Sequence, residues 1–140
     1  MKLELKHLAS YLPYGLKAVN FNTKNYGLKF LIKDIIASNI TTLIDFSPSF
    51  IPILFQLSSL TKEITVNGET FVPYDKIKEI YPNTPQFTDY IKGLMQYYGV
   101  MDSKCEYVCI LKLFEWKIDV FGLIEAGLAE PVTEYFNPYK

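Results

Sequence analysis

The sequence predicts an α+β fold: a small antiparallel sheet that includes an Asn-Gly hairpin, with a mostly helical C-terminal half. Three observations lead there. The stretch EITVNGETFVP, residues 63–73, sets two β-prone runs on either side of Asn67-Gly68, the pair best suited to the positive φ angles of a two-residue type I′ turn. Residues 15–36 are rich in apolar alternation and in β-branched and aromatic side chains. From residue 74 onward, apolar residues recur instead at three- and four-residue intervals, the period of a helix buried along one side.

Taken in order, Leu3, Leu5, Leu8, Ala9 and Leu12 fall on one helical side, so a short amphipathic helix is expected over 3–12, ended by Pro13 and turned at Gly15. Strands are expected over 15–21 and 26–36, linked near 22–25, with a third over 41–46. Pro48 and Pro52 then break regularity, and SFIPILFQL is expected to thread against the core. Residues 58–63 suit one helical turn. The hairpin spacing pairs Val66 with Glu69, Thr65 with Thr70 and Ile64 with Phe71, so that Ile64 and Phe71 share a buried face while the two threonines share a wet one.

Tyr74, Ile77, Ile80 and Tyr81 mark a helix stopped by Pro82; Phe87, Tyr90, Ile91, Leu94 and Met95 mark another over 85–98, with Gly99 as its stop. Asp102 or Ser103 can cap a further helix carrying Val108, Leu111 and Phe114. In the closing stretch LFEWKIDVFGLIEAGLAEPV, Phe114, Ile118, Phe121, Ile124 and Leu128 form one apolar stripe, and Gly127 suits a C-terminal stop. Gly122 is the oddity, because glycine inside a helix costs about 1 kcal/mol relative to alanine. Either Asp119 caps a second helix within 103–126, or another segment packs closely over Gly122.

A chain of 140 residues is expected to form one globular domain over 1–140, large enough to bury about two-thirds of its unfolded surface. Its 11 Tyr and 10 Phe oppose disorder. The net charge of −1 divides unevenly: residues 1–62 hold seven lysines against three acids, a balance of +4, while 63–140 hold seven against twelve, a balance of −5. All 14 basic residues are lysine, so the bidentate fork that reads guanine is missing and sequence-specific DNA reading is disfavoured. Cys105 and Cys109 are too few for a zinc site and suit buried thiols in a reducing cytoplasm. No stretch approaches ~18 uncharged apolar residues, so no membrane span is expected.

Chemistry-bearing residues are sparse. His7 is the sole histidine, sits among lysines and reads as a surface or capping residue, no G-x-S-x-G or phosphate-binding glycine loop occurs, and no H-x-E or D-x-D pairs carboxylates for a metal. The expectation is therefore a protein that is not an enzyme and carries no cofactor and no metal. Two surfaces stand out for binding. Trp116, the only tryptophan, lies off the apolar stripe and is the candidate contact with a protein partner. Lys17, Lys24, Lys29 and Lys33, interleaved with Phe21, Tyr26 and Phe30, are the candidate contacts of the alternative, a nucleic-acid-associated protein. An exposed aromatic patch would also favour self-association into a homo-oligomer.

Three blocks, MKLELKHLASYLPYGLK, LSSLTKEITVNGETFVP and FEWKIDVFGLIEAGLA, together resemble one family and cover roughly a third of the chain. It is a family of small uncharacterised proteins encoded by bacteriophages and prophages of Bacteroides-type bacteria. Ser10 and Lys117 depart from its pattern, which carries Pro and His there. The resemblance implies a phage-encoded accessory protein acting in the host cytoplasm, and such proteins often bind another protein. It implies no activity and no site residue.

Overall fold

The computed structural model describes residues 2–20, 31–45, 50–80 and 104–140. They form an α+β fold around a four-stranded mixed sheet and a separate two-stranded hairpin. Helix α1 (Leu5–Leu8) runs into a 3-10 helix (Ala9–Tyr14), and Gly15 ends it at φ +78°. The expected helix over 3–12 is thus tightened in its second half, and Pro13 lies inside the 3-10 turn instead of ending the helix ahead of itself. Leu3, Leu8 and Tyr11 are fully buried from this segment.

Strand β1 (Lys17–Asn20) pairs antiparallel with β2 (Leu31–Asp34), Lys17 opposite Asp34 and Ala18 opposite Lys33. On its other side β1 pairs antiparallel with β3 (Phe50–Leu54), Ala18 opposite Pro52. A short strand β6 (Glu130–Pro131) then joins β3 in parallel, giving the order β2-β1-β3-β6. The sheet is therefore mixed, not antiparallel throughout. One of its two interior strands, β3, is the very stretch expected only to thread the core. Phe50, Ile51, Ile53 and Leu54 are all buried, the continuous apolar run of a strand covered on both faces. Pro52 offers no N–H to a ladder, and it is tolerated where the parallel partner has not yet begun, since β6 pairs only from Ile53 onward.

Residues Ile40–Asp45 form helix α2, where a strand was expected over 41–46. Ile40 and Leu43 are the buried pair. A strand would send these two to opposite faces, whereas three-residue spacing puts them on one helical side. Burying each is worth roughly 1.5–3 kcal/mol, more than the ~0.7 kcal/mol of helix propensity that a β-branched residue gives up.

Strands β4 (Ile64–Val66) and β5 (Glu69–Phe71) pair with Ile64 opposite Phe71, Thr65 opposite Thr70 and Val66 opposite Glu69. Asn67 and Gly68 hold φ of +53° and +81°, and the Thr65 and Thr70 hydroxyls hydrogen-bond at 2.8 Å on the exposed face. Helix α3 (Pro73–Ile80) comes next, and Lys76 reaches back to pair with Glu69 over the Phe71 ring.

Helix α4 spans Lys104–Glu115. The helix expected over 85–98 and the cap at Asp102 or Ser103 lie outside the described residues, as do 21–30 of the expected strand pair. Beyond Glu115 the structure departs most from expectation: 116–129 are turns and bends with a bridge from Ile118 to Phe55, so Phe114, Ile118, Phe121, Ile124 and Leu128 are not one helical stripe. Helix α4 instead packs on the N-terminal segment, with the Tyr11 ring edge-on to Phe114 at 4.8 Å. Among the described residues, no helix is long and apolar enough to cross a membrane.

Candidate functional site

The site begins at the end of α4. The Lys117 N–H donates to the Phe114 carbonyl at 3.0 Å, and the Ile118 N–H donates to Leu113 at 2.9 Å. This pair of bonds is a Schellman motif, with Lys117 at the left-handed position (φ +55°) and with Ile118 and Leu113, both fully buried, as its apolar contact. Glycine is the usual occupant, because a Cβ in that conformation costs about 1 kcal/mol or more. Here a lysine takes it.

Past the turn, the chain adds itself to the end of β3. The Phe55 N–H donates to the Lys117 carbonyl, and the Asp119 N–H donates to the Phe55 carbonyl, each at 2.8 Å. The Lys117 backbone is therefore fixed on both sides, and the residue is only 2% exposed. The ammonium lies 5.0 Å from the centre of the Tyr139 ring, a cation–π contact, and has no ion pair or hydrogen bond to any described side chain. Burial pushes the Lys117 pKa down; Glu115 partly offsets this, and nearby Lys17 adds to it.

Tyr139 is the other wall. Its hydroxyl donates to the Ile53 carbonyl at 2.7 Å and accepts from the Lys17 N–H at 2.9 Å, tying the C-terminal segment to both β1 and β3. Burial raises its pKa well above the usual phenol value, so it stays a neutral donor. Between these residues lies a cavity of about 430 Å³, bordered by Lys117, Tyr139, Lys17, Asp34, Leu12 and Ile36, within the roughly 300–1,000 Å³ range of small-ligand sites. Lys17 is ion-paired with Asp34.

The sequence-level candidates fall differently. Trp116, the candidate partner contact, is not at the surface: it is 5% exposed and packs against Phe71 of the hairpin, ring centres 5.0 Å apart, as part of the core. Of the four lysines, Lys24 and Lys29 lie outside the described residues. Lys17 is engaged by Asp34, its partner in the strand register. Lys33 is exposed, but it neighbours Asp34 along β2, and successive strand residues face opposite sides. Lys17 and Lys33 therefore do not share one platform.

His7 is buried and accepts the Glu4 N–H through Nδ1 at 3.0 Å, with its ring edge-on to Phe121. It closes the first helical turn. Asp119 is buried too, and its carboxylate accepts the Leu123 and Ile124 N–H groups at 2.9 Å each. Burial raises its pKa, and backbone hydrogen bonds oppose the shift. Asp119 thus caps a turn, not a second helix. Among the described residues nothing packs over Gly122: apart from its chain neighbours, none of them has an atom within 4 Å of where its Cβ would stand, and its φ of +71° is the reason for glycine there.

Sequence reasoning missed Lys117 and Tyr139. A left-handed C-cap is found in a sequence by its glycine, and here that marker is absent. Among the described residues, no group of three His, Cys, Asp or Glu side chains is placed to hold a metal ion. No protein-family model matches the chain, and no curated protein and no solved structure matches it.

Proposed function

We propose that this chain is a non-enzymatic accessory protein of a bacteriophage or prophage, acting inside the host cell by binding a host or phage protein. The observation that carries this reading is the pair Ile32 and Ile36, 39% and 55% exposed, with Ile36 at the cavity mouth. Ile32 shares a strand face with Asp34, so the apolar residues continue the surface on which Lys17 and Asp34 lie. Large aliphatic side chains left in water next to a cationic recess suit a partner with an apolar anchor and acidic neighbours. The resemblance of three sequence blocks to phage and prophage proteins supports the cellular setting.

The test is affinity capture after in-cell cross-linking, comparing the wild type with Ile36→Asp. Ile36 is exposed, so the substitution is expected to change stability by no more than about 0.5 kcal/mol. The expected result is a defined protein captured by the wild type and lost with the variant. Equal capture by both, or no protein above background, would end the proposal.

A further inference from the structure

We propose that the cavity between β1, the end of α4 and residues 138–140 is a receptor site for a small organic monocarboxylate, its carboxylate on the Lys117 ammonium and its apolar tail toward Leu12 and Ile36. Three observations converge on it. The first is the residue itself. Lysine occupies a left-handed position that glycine would hold at lower cost, and it buries a positive charge there as well. Neither feature helps the fold, whereas both put an ammonium at one place.

The second is where that ammonium goes. A lysine that merely covers apolar surface extends its head into bulk water, but Lys117 is 2% exposed as a whole residue. Among the described residues, no buried side-chain nitrogen or oxygen lacks a hydrogen-bond partner. Lys117 donates to no described side chain, so its nitrogen keeps a small contact with solvent. The cavity it borders together with Tyr139, whose ring it overlies, supplies that contact.

The third is charge. Lys17 is neutralised by Asp34, which leaves Lys117 as a buried cation with no ion pair among the described residues, since Glu115, the acid that acts on it, is itself paired with Lys112. One buried charge without an ion pair suits one negative charge, and Leu12, Ile35, Ile36 and Pro138, which share the remaining walls with Tyr14, Asn67 and Lys140, suit a hydrocarbon tail. Lys140 also borders the cavity but is exposed, so the buried charge a ligand meets is that of Lys117, and the apolar walls favour a carboxylate with a hydrocarbon tail over a strongly hydrated phosphate dianion. Burial of the ammonium without a partner holds its pKa down, and a bound carboxylate would restore it.

The experiment titrates sodium butyrate, sodium phosphate and sodium chloride at matched ionic strength into the wild type, Lys117→Gly and Lys117→Met. Amide spectra and melting temperature are the readouts. Butyrate is expected to give saturable shifts at Gly15, Lys117 and Tyr139 and to raise the wild-type melting temperature. Chloride is expected to do neither. In both variants butyrate should bind about tenfold or more weakly, the size of one charge-assisted hydrogen bond. Lys117→Gly should melt no lower than the wild type without ligand, since it relieves the backbone. If it melts lower, Lys117→Met, which keeps the stem and loses only the charge, carries the comparison. Saturation by phosphate but not butyrate would overturn the choice of carboxylate. Equal butyrate affinity in the wild type and Lys117→Met, or shifts that chloride reproduces, would overturn the site.

Discussion

His7 shows how one side chain can serve structure through its uncharged form. Its Nδ1 accepts the Glu4 N–H, which is possible only while that nitrogen is unprotonated. Burial, with Lys6 beside it, lowers the imidazole pKa below the usual 6.5, and Glu4 offsets this only in part. The folded state therefore resists a proton that the unfolded chain accepts. Above pH 6.5 both states are neutral and the contribution is flat. As pH falls below that value the unfolded chain protonates first, so stability declines until the folded histidine also titrates. Urea unfolding of the wild type and His7→Gln from neutral to about pH 5 measures this; the wild type should lose stability that the variant does not. Parallel curves would dismiss it. In the sequence His7 reads as a capping or surface residue, and capping is legible from its place in the first turn. Its burial is not, because that depends on Phe121, more than a hundred residues away in the chain.

Among the elements, the turn that replaces the expected closing helix is the instructive one. Apolar spacing alone predicts a helical stripe over 114–128, yet Lys117 at φ +55° ends α4 and redirects the chain along β3. Leu123, Ile124 and Leu128 still turn inward, but from consecutive turns organised by the Asp119 carboxylate. Gly122→Ala is therefore expected to cost about 1 kcal/mol through backbone strain alone, since the added methyl meets nothing. Chemical denaturation would measure it, and unchanged or greater stability would contradict a left-handed Gly122. The contrast with the hairpin is physical. Asn67-Gly68 and the threonine pair across it are local, so four neighbouring residues specify the geometry. Helix α3 is legible for the same reason. Strand β3, helix α2 and the Lys117 cavity depend on partners distant in sequence. Propensity is overruled there by which residues have to be buried together.

Across the whole molecule, two tyrosine hydroxyls bind the ends of the chain to its middle. Tyr11 donates to the Ile118 carbonyl at 2.6 Å and accepts from Val120, spanning 107 residues in the first case, while Tyr139 reaches Lys17 across 122 and Ile53 across 86. One apolar cluster runs from Leu3 to Tyr139 around them. Tyr139→Phe removes the side-chain partner of the Ile53 carbonyl and the Lys17 N–H and should cost about 1–3 kcal/mol, whereas Tyr11→Phe leaves the Ile118 carbonyl and the Val120 N–H still bonded to each other and should cost less, about 0.5–1.5 kcal/mol. Calorimetry should show lower melting temperatures with a single transition retained. Two resolved transitions would mean that the hairpin and sheet unfold separately. The parallel pairing of β6 with β3 also sets a timetable for synthesis. A nascent chain can form the Asn67-Gly68 hairpin early, but β3 lacks its second neighbour until residue 131 leaves the ribosome, and the clasp at Ile53 waits for residue 139. Until residue 131 has emerged, β3 presents an unpaired strand edge of the kind that chaperones and proteases recognise.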